Sequence, residues 1–247
     1  MIMSDKVAIV TNATSDIGWA ISKQLMAKKV RVIGTGDDEA ALGDASQHYE
    51  LFDGQVVDPI AEDAVENFVK QATDKYGEID YSFQIAVPYQ AGLIIDEQLT
   101  DWNFMIDLAL NGVFLFIKNV GRQMKKQGSG QIVNIASMDA HVQSYCSEDY
   151  AAIKSAINIF TKSAALELAA ANVQVNSILP GIVDSYPAID EHSLDQAETL
   201  SVKRPARPEE IAGPAIFLTS EAASYINGTT LVVDGGWEIT GYPDVRM

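Results

Sequence analysis

The feature that most constrains the fold is an alternation carried from one end of the chain to the other. Short apolar runs of strand length are separated by segments with helical spacing. Lys6–Thr11, Val30–Gly34, Asp80–Ala86, Gln131–Ala136, Val173–Leu179 and Thr230–Val233 read as strands, and Tyr49–Val57 contains a further, poorly defined one. Ile17–Lys28, Asp38–Ser46, Ala61–Tyr76, Thr100–Lys125, Glu148–Ala170 and Glu209–Thr219 carry helical periodicity. Strands separated by helices need crossover connections, which implies a parallel sheet with helices on both faces. The expected class is α/β, a three-layer, doubly wound parallel sheet. At 247 residues the chain suits one large α/β domain or two small ones. It has no linker, repeat or low-complexity segment, so residues 1–247 read as a single domain.

Charge excludes several function classes. Lys+Arg minus Asp+Glu is 17 − 34 = −17. Binding to phosphates needs clustered Lys and Arg, so nucleic acid is not an expected partner, and neither is an anionic membrane surface. The bland meaning of the acidity is solubility. No apolar run reaches the roughly 18–20 residues that span a bilayer. Met1-Ile2-Met3-Ser4-Asp5-Lys6 lacks the pattern of a signal peptide. One cysteine, Cys146, rules out an internal disulfide and fits a reducing cytoplasm, so a cytoplasmic protein is expected. His48, His141 and His192 lack ligand spacing, and no metal site is expected.

The chemistry concentrates in Tyr150-Ala151-Ala152-Ile153-Lys154, with Ser137 ending the strand-like run before it. On a helix, residues four apart share a face. An ammonium there can lower the pKa of a phenol that otherwise titrates near about 10. Such a phenol can exchange a proton with a substrate oxygen at neutral pH, and the Ser137 hydroxyl could reach the same oxygen. A lone YxxxK arises often by chance; with the serine after a strand and before a helix, it is specific. Downstream, about 182–207 reads as a lid over a site at the carboxyl ends of the strands. Its Ile182–Leu200 part has Asp184, Asp190, Glu191, Asp195 and Glu198 but no Lys or Arg, which disfavours polyanionic substrates such as acyl-coenzyme A. A solvated surface helix at Glu191–Leu200 is the competing reading.

Together these elements resemble the short-chain dehydrogenase/reductase family over essentially the whole chain. The resemblance rests on Val10-Thr11, Ile17-Gly18, Trp102, Ser137, Tyr150, Lys154, Asn176 and Pro180-Gly181-Ile182-Val183-Asp184-Ser185. It extends through Arg207-Pro208-Glu209-Glu210-Ile211-Ala212 and Asn227-Gly228 to Val233-Asp234-Gly235-Gly236. It implies a Rossmann-type sheet, a nicotinamide cofactor, and oxidation or reduction at an alcohol/carbonyl carbon. Ser137, Tyr150 and Lys154 match the catalytic positions. By the same resemblance Thr11, Asn12, Ser15, Asp16, Ile17, Asp37, Ala86, Tyr150, Lys154, Pro180, Gly181 and Val183 would meet the cofactor. The helices at Thr100–Lys125 and Glu148–Ala170 and the last strand would make the contacts of a homotetramer.

The departures carry as much information. The family's first turn reads T-G-x-x-x-G-x-G, and this chain has Thr11-Asn12-Ala13-Thr14-Ser15-Asp16-Ile17-Gly18. Asn12 is a mild change because Asn tolerates positive φ. Asp16 puts bulk and charge beside a pyrophosphate; capping of the following helix is the other account of it. The family's N-N-A-G is Gln84-Ile85-Ala86-Val87, the acid usual after the third strand aligns with Gln55, and the fourth catalytic residue, an asparagine, aligns with Ala109. Asn111, two positions on, does not share that helix face. Halohydrin dehalogenases, relatives without the cofactor, share Thr-Asn in the turn but have an arginine in place of Lys154. Asp37, after the second strand, favours NAD(H) over NADP(H) by repelling a 2′-phosphate, unless it merely caps a helix. The expected activity is hydride transfer between NAD(H) and a small or medium secondary alcohol/ketone. The alternative is a cofactor-free lyase-like enzyme or a binding and scaffold protein of the same fold.

Overall fold

The computed structural model describes residues 6–85, 93–142, 148–184 and 197–240. Seven parallel strands form one sheet: β1 Val7–Val10, β2 Arg31–Gly36, β3 Phe52–Val56, β4 Tyr81–Ile85, β5 Gly130–Ile135, β6 Val173–Pro180 and β7 Thr230–Val233. Their order is β3-β2-β1-β4-β5-β6-β7. Strands buried on both faces read as unbroken apolar runs, and Val7-Ala8-Ile9-Val10 is buried throughout. β3 lies at an edge, and its Asp53, Gly54 and Gln55 are half-buried. That half-exposure explains why its sequence pattern is weak.

The helices are α1 Asp16–Ala27, α2 Glu39–His48, α3 Glu62–Tyr76, α4 Leu99–Met105, α5 Gly112–Gln127, α6 Glu148–Leu168 and α7 Pro208–Phe217. One core layer joins α3, α5 and α6 to the sheet through Phe68, Phe116, Met124, Ile153 and Leu168. The opposite layer joins α1, α2 and α7 through Ile21, Leu25, Leu42, Ile211 and Ile216. The sheet grows one way from β1 to β3 and the other way from β4 to β7. The reversal between β1 and β4 opens a crevice at the carboxyl ends of the strands, where ligands of such sheets bind.

α4 and α5 are parts of one long helix, joined by a π turn at Ile106–Asn111. Ala109 in that turn is buried and Asn111 is exposed, donating to Asp107 Oδ1 at 2.7 Å. The whole helix, Leu99–Gln127, is long and apolar enough to cross a membrane by composition, but 56% of its apolar window is buried inside the protein. It is a core helix.

Candidate active site

The β1–α1 turn keeps its shape although two of the family's glycines are replaced. Asn12 occupies the left-handed region at φ 49, a conformation Asn reaches more readily than most residues. Gly18 is retained, and a Cβ there would lie 2.2 Å from the Asn12 carbonyl oxygen. Only glycine fits that approach. Thr11 ties the turn to β4: its hydroxyl accepts from the Ile85 N–H at 2.8 Å. The cap of α1 is Ser15, whose Oγ accepts from Gly18 N at 3.2 Å. This corrects the reading of Asp16 as the cap. Asp16 is instead the first helical residue, where the helix dipole favours an acid.

A cavity of about 390 Å³ opens along this turn. Thr11, Asn12 and Ser15 line one side, Thr35, Gly36 and Asp37 another, and Val57, Pro59, Gln84, Ile85 and Leu108 part of the remainder. The cap of α2 is Asp38, which accepts from Ala41 N at 2.9 Å. The alternative account of Asp37 as that cap is therefore removed, and Asp37 faces the cavity as an exposed acid.

The catalytic candidates converge one strand away. Lys154 rises from α6 and is 3% exposed. Its Nζ donates to the Ile135 carbonyl at 3.3 Å and lies 5.0 Å from the centroid of the Tyr150 ring. Ile135 pairs across the sheet with Ile85, which lines the cavity. Burial pushes the ammonium down to a pKa of about 8, against the opposing pull of the Asp139 carboxylate. Ser137 continues β5 in extended conformation (φ −162) and caps a single 3-10 turn, Met138–Ala140. Its Oγ accepts from Asp139 N at 3.2 Å and donates to Asp139 Oδ2 at 2.9 Å. Asp139 is a residue that sequence reasoning missed: a carboxylate two positions after a serine reads as ordinary turn chemistry until its 7% exposure is known.

The structure brings Thr11, Asn12, Ser15 and Asp37 to one cavity, sets Lys154 Nζ 5.0 Å from the centre of the Tyr150 ring, and bonds Ser137 to Asp139, whose carboxylate acts on Lys154. Asp16 and Ile17 are half-buried at the start of α1 and do not line the cavity. Pro180 ends β6, and Gly181 follows it so closely packed that a Cβ would meet the Asp234 backbone at 2.8 Å. Val183 bridges to Ala206, which brings the two ends of the expected lid together. Ala86 and residues 185–196 of that lid lie outside the described residues. Among the described residues no cluster of His, Cys, Asp or Glu could hold a metal ion.

A family model described as enoyl-(acyl carrier protein) reductase matches residues 12–238. The chain belongs to the short-chain dehydrogenase/reductase family. Among its relatives, a 3-oxoacyl-[acyl-carrier-protein] reductase from Synechocystis sp. is 34% identical, over 95% of this chain and 97% of that protein. A cis-4-hydroxycyclohexanecarboxylate dehydrogenase from Sinomonas cyclohexanicum is 33% identical, over 95% of this chain and 97% of that protein. The solved structure of a doubly substituted Serratia marcescens short-chain dehydrogenase/reductase superposes with a TM-score of 0.89 at 29% identity, covering 96% of this chain and 100% of the other.

Short-chain dehydrogenase/reductases are oxidoreductases that act on small molecules with a nicotinamide cofactor, and the residues here fit one. The turn preserves the positive φ at Asn12 and the close approach at Gly18. The Gln84 amide donates through Nε2 to Ser82 Oγ at 2.7 Å, while its Oε1 is buried without a partner among the described residues. A buried polar atom beside a cavity calls for a ligand or water to satisfy it. Thr11, Asn12 and Ser15 would hold the pyrophosphate side and Asp37 the adenosine ribose.

Proposed function

We propose that this short-chain dehydrogenase/reductase moves hydride between NAD(H) and a small or medium secondary alcohol or ketone. The observation that carries this reading is the buried Lys154 ammonium beneath the Tyr150 ring, one strand from the cleft along the β1–α1 turn. The nicotinamide dinucleotide supplies or accepts the hydride. Tyr150 passes the proton to or from the substrate oxygen. Lys154 stabilises negative charge developing on the phenol oxygen and holds the nicotinamide ribose. Ser137 orients the substrate oxygen.

Three further features of the reading have their own support. Asp37, freed from a capping role, repels a 2′-phosphate and favours NAD(H) over NADP(H). The acidic lid, with exposed Asp184 and Glu198 at its described ends, favours an uncharged substrate over one on an acidic carrier. A homotetramer fits the apolar side chains left in solvent on the long helix and α6, among them Phe104 at 59% and Leu166 at 84% exposure. Light scattering on the purified protein tests it.

A second reading is a family member without redox activity. It is favoured by two observations: Asp16 in the first turn of α1, and a buried Ala109 where the family carries its fourth catalytic asparagine. Titrating the protein with NADH and NADPH, followed by fluorescence, separates the two. Saturable binding with NADH tighter supports the hydride-transfer reading, and no binding of either supports the second.

A further inference from the structure

Ser137 has one proton, and the structure commits it. A serine hydroxyl offers one donor and two acceptor positions, whereas an ionised carboxylate only accepts. The contact of 2.9 Å between Ser137 Oγ and Asp139 Oδ2 therefore places the hydroxyl hydrogen on the Asp139 side. The Asp139 N–H takes one of the two lone pairs at 3.2 Å. Both residues are only 7% exposed, so neither group exchanges this partner for bulk water at little cost. The single 3-10 turn at Met138–Ala140 holds the two together, and Ser155 Oγ pins that turn to α6 by donating to the Ala140 carbonyl at 3.4 Å. Among the described residues, one acceptor position on Ser137 Oγ is left for a substrate.

We propose that Asp139 is a positioning residue of this site: by holding the Ser137 hydroxyl proton it makes Ser137 a hydrogen-bond acceptor, so the site binds its substrate more tightly as an alcohol than as a ketone. This rests on the hydride-transfer reading above and adds the preferred form of the substrate to it. An alcohol hydroxyl can donate to the remaining Ser137 lone pair while its oxygen accepts from the Tyr150 phenol, and for oxidation it turns that proton to the deprotonated Tyr150, which takes it. A ketone has no proton to give, and two lone pairs would face each other. For Ser137 to donate to a ketone it must release Asp139, and a buried carboxylate gives up a hydrogen bond only at a cost. The carboxylate also faces the buried Lys154 ammonium and opposes the loss of its proton, so the same side chain supports a second member of the cluster.

The test has two arms. In the first, a neutron map of a deuterated crystal of the wild-type protein locates the deuterium on Ser137. Density between Ser137 Oγ and Asp139 Oδ2 is expected, and density turned away from Asp139 overturns the inference whatever the enzyme turns over. In the second, Michaelis constants for cyclohexanol with NAD⁺ and cyclohexanone with NADH are compared among the wild type, Asp139→Ala and Asp139→Asn. Asp139→Ala is expected to shift the ketone-to-alcohol KM ratio toward the ketone by about tenfold, equivalent to about 1.4 kcal/mol. Asp139→Asn retains an acceptor and is expected to recover part of the preference. In a Ser137→Ala background the Asp139 substitution should no longer move the ratio. A ratio that does not move, or that moves equally without Ser137, overturns the inference and leaves the hydride-transfer reading standing. Absence of NADH binding and of turnover in both directions overturns the hydride-transfer reading, and with it the substrate preference, while the neutron map still decides where the Ser137 proton lies.

Discussion

The two ends of the site are built in different ways. At the β1–α1 turn the binding surface is made by backbone. Its residue identities have drifted, with Asn12 and Asp16 in place of glycines, yet the φ of 49 at Asn12 and the 2.2 Å approach at Gly18 preserve its shape. At the Ser137–Tyr150–Lys154 cluster the working surface is made by side chains. Its identities match the family's, yet its electrostatics are altered by a neighbour, the buried Asp139. A backbone-built turn can thus keep its shape through substitutions that look damaging, while a side-chain-built cluster can gain a charged neighbour without any change to its signature.

The largest expected effect lies at the side-chain end. Tyr150→Phe removes a proton donor and little volume. It should cost about 10²–10⁴-fold in kcat, the range of general acid–base catalysis, with NADH affinity nearly unchanged in a fluorescence titration. A variant that keeps most of its activity breaks the proposed chemistry.

Lys154→Ala comes next and should lose both turnover and NADH affinity, because one ammonium serves both. Its charge is present below a pKa of about 8 and lost above it. NADH affinity should therefore decline as pH rises through about 8 rather than near about 10, the ordinary lysine range. The sign for stability is opposite. Between those two values the unfolded chain holds the extra proton, so this group's contribution to folding stability increases with pH there. Affinity that stays flat up to about pH 10 would show that burial does not depress this lysine.

At the backbone end the effects should be smaller. Two like charges near about 4 Å cost on the order of 1 kcal/mol in water and about 4 kcal/mol at an effective dielectric of 20. Asp16 is only half-buried and sits at a helix N-terminus that offsets part of this. Because Asp16 does not line the cavity, Asp16→Gly should tighten NADH by no more than roughly tenfold. With Ser15 as the cap, loss of the first-turn acid should cost about 0.3–1 kcal/mol of stability. An unchanged Kd would mean that the carboxylate points away from the pyrophosphate.

Smallest of all, Asp37→Ala should narrow the gap between NADH and NADPH by a few-fold without altering kcat. Equal affinities in the wild type would remove Asp37 from the recognition of the ribose.

Much of the architecture was legible because buried parallel strands must be apolar. The strands were therefore visible from Val7-Ala8-Ile9-Val10 onward, and β3, half-wet at the sheet edge, was faint. Helix starts were legible to within one residue, and that one residue mattered. The caps are Ser15 and Asp38, so the capping role that competes with the other account of Asp16 and Asp37 belongs to their neighbours. Asp139 was invisible for a different reason. Its identity suits an exposed turn, and only the packing of the 3-10 turn against α6 makes it a buried charge.

The π turn at Ile106–Asn111 has a consequence for how this gene can change. A π turn carries one residue more than the α turn it replaces, so it behaves as a one-codon insertion retained within a helix. Deleting any single residue of that segment would let the ladder close as a plain α-helix. The segments on either side would keep their mutual phase, whereas a one-residue deletion in the α-helical parts would rotate one side by about 100° against the other, since a helix turns once every 3.6 residues. This segment should therefore tolerate the loss of one residue better than the α-helical stretches on either side of it.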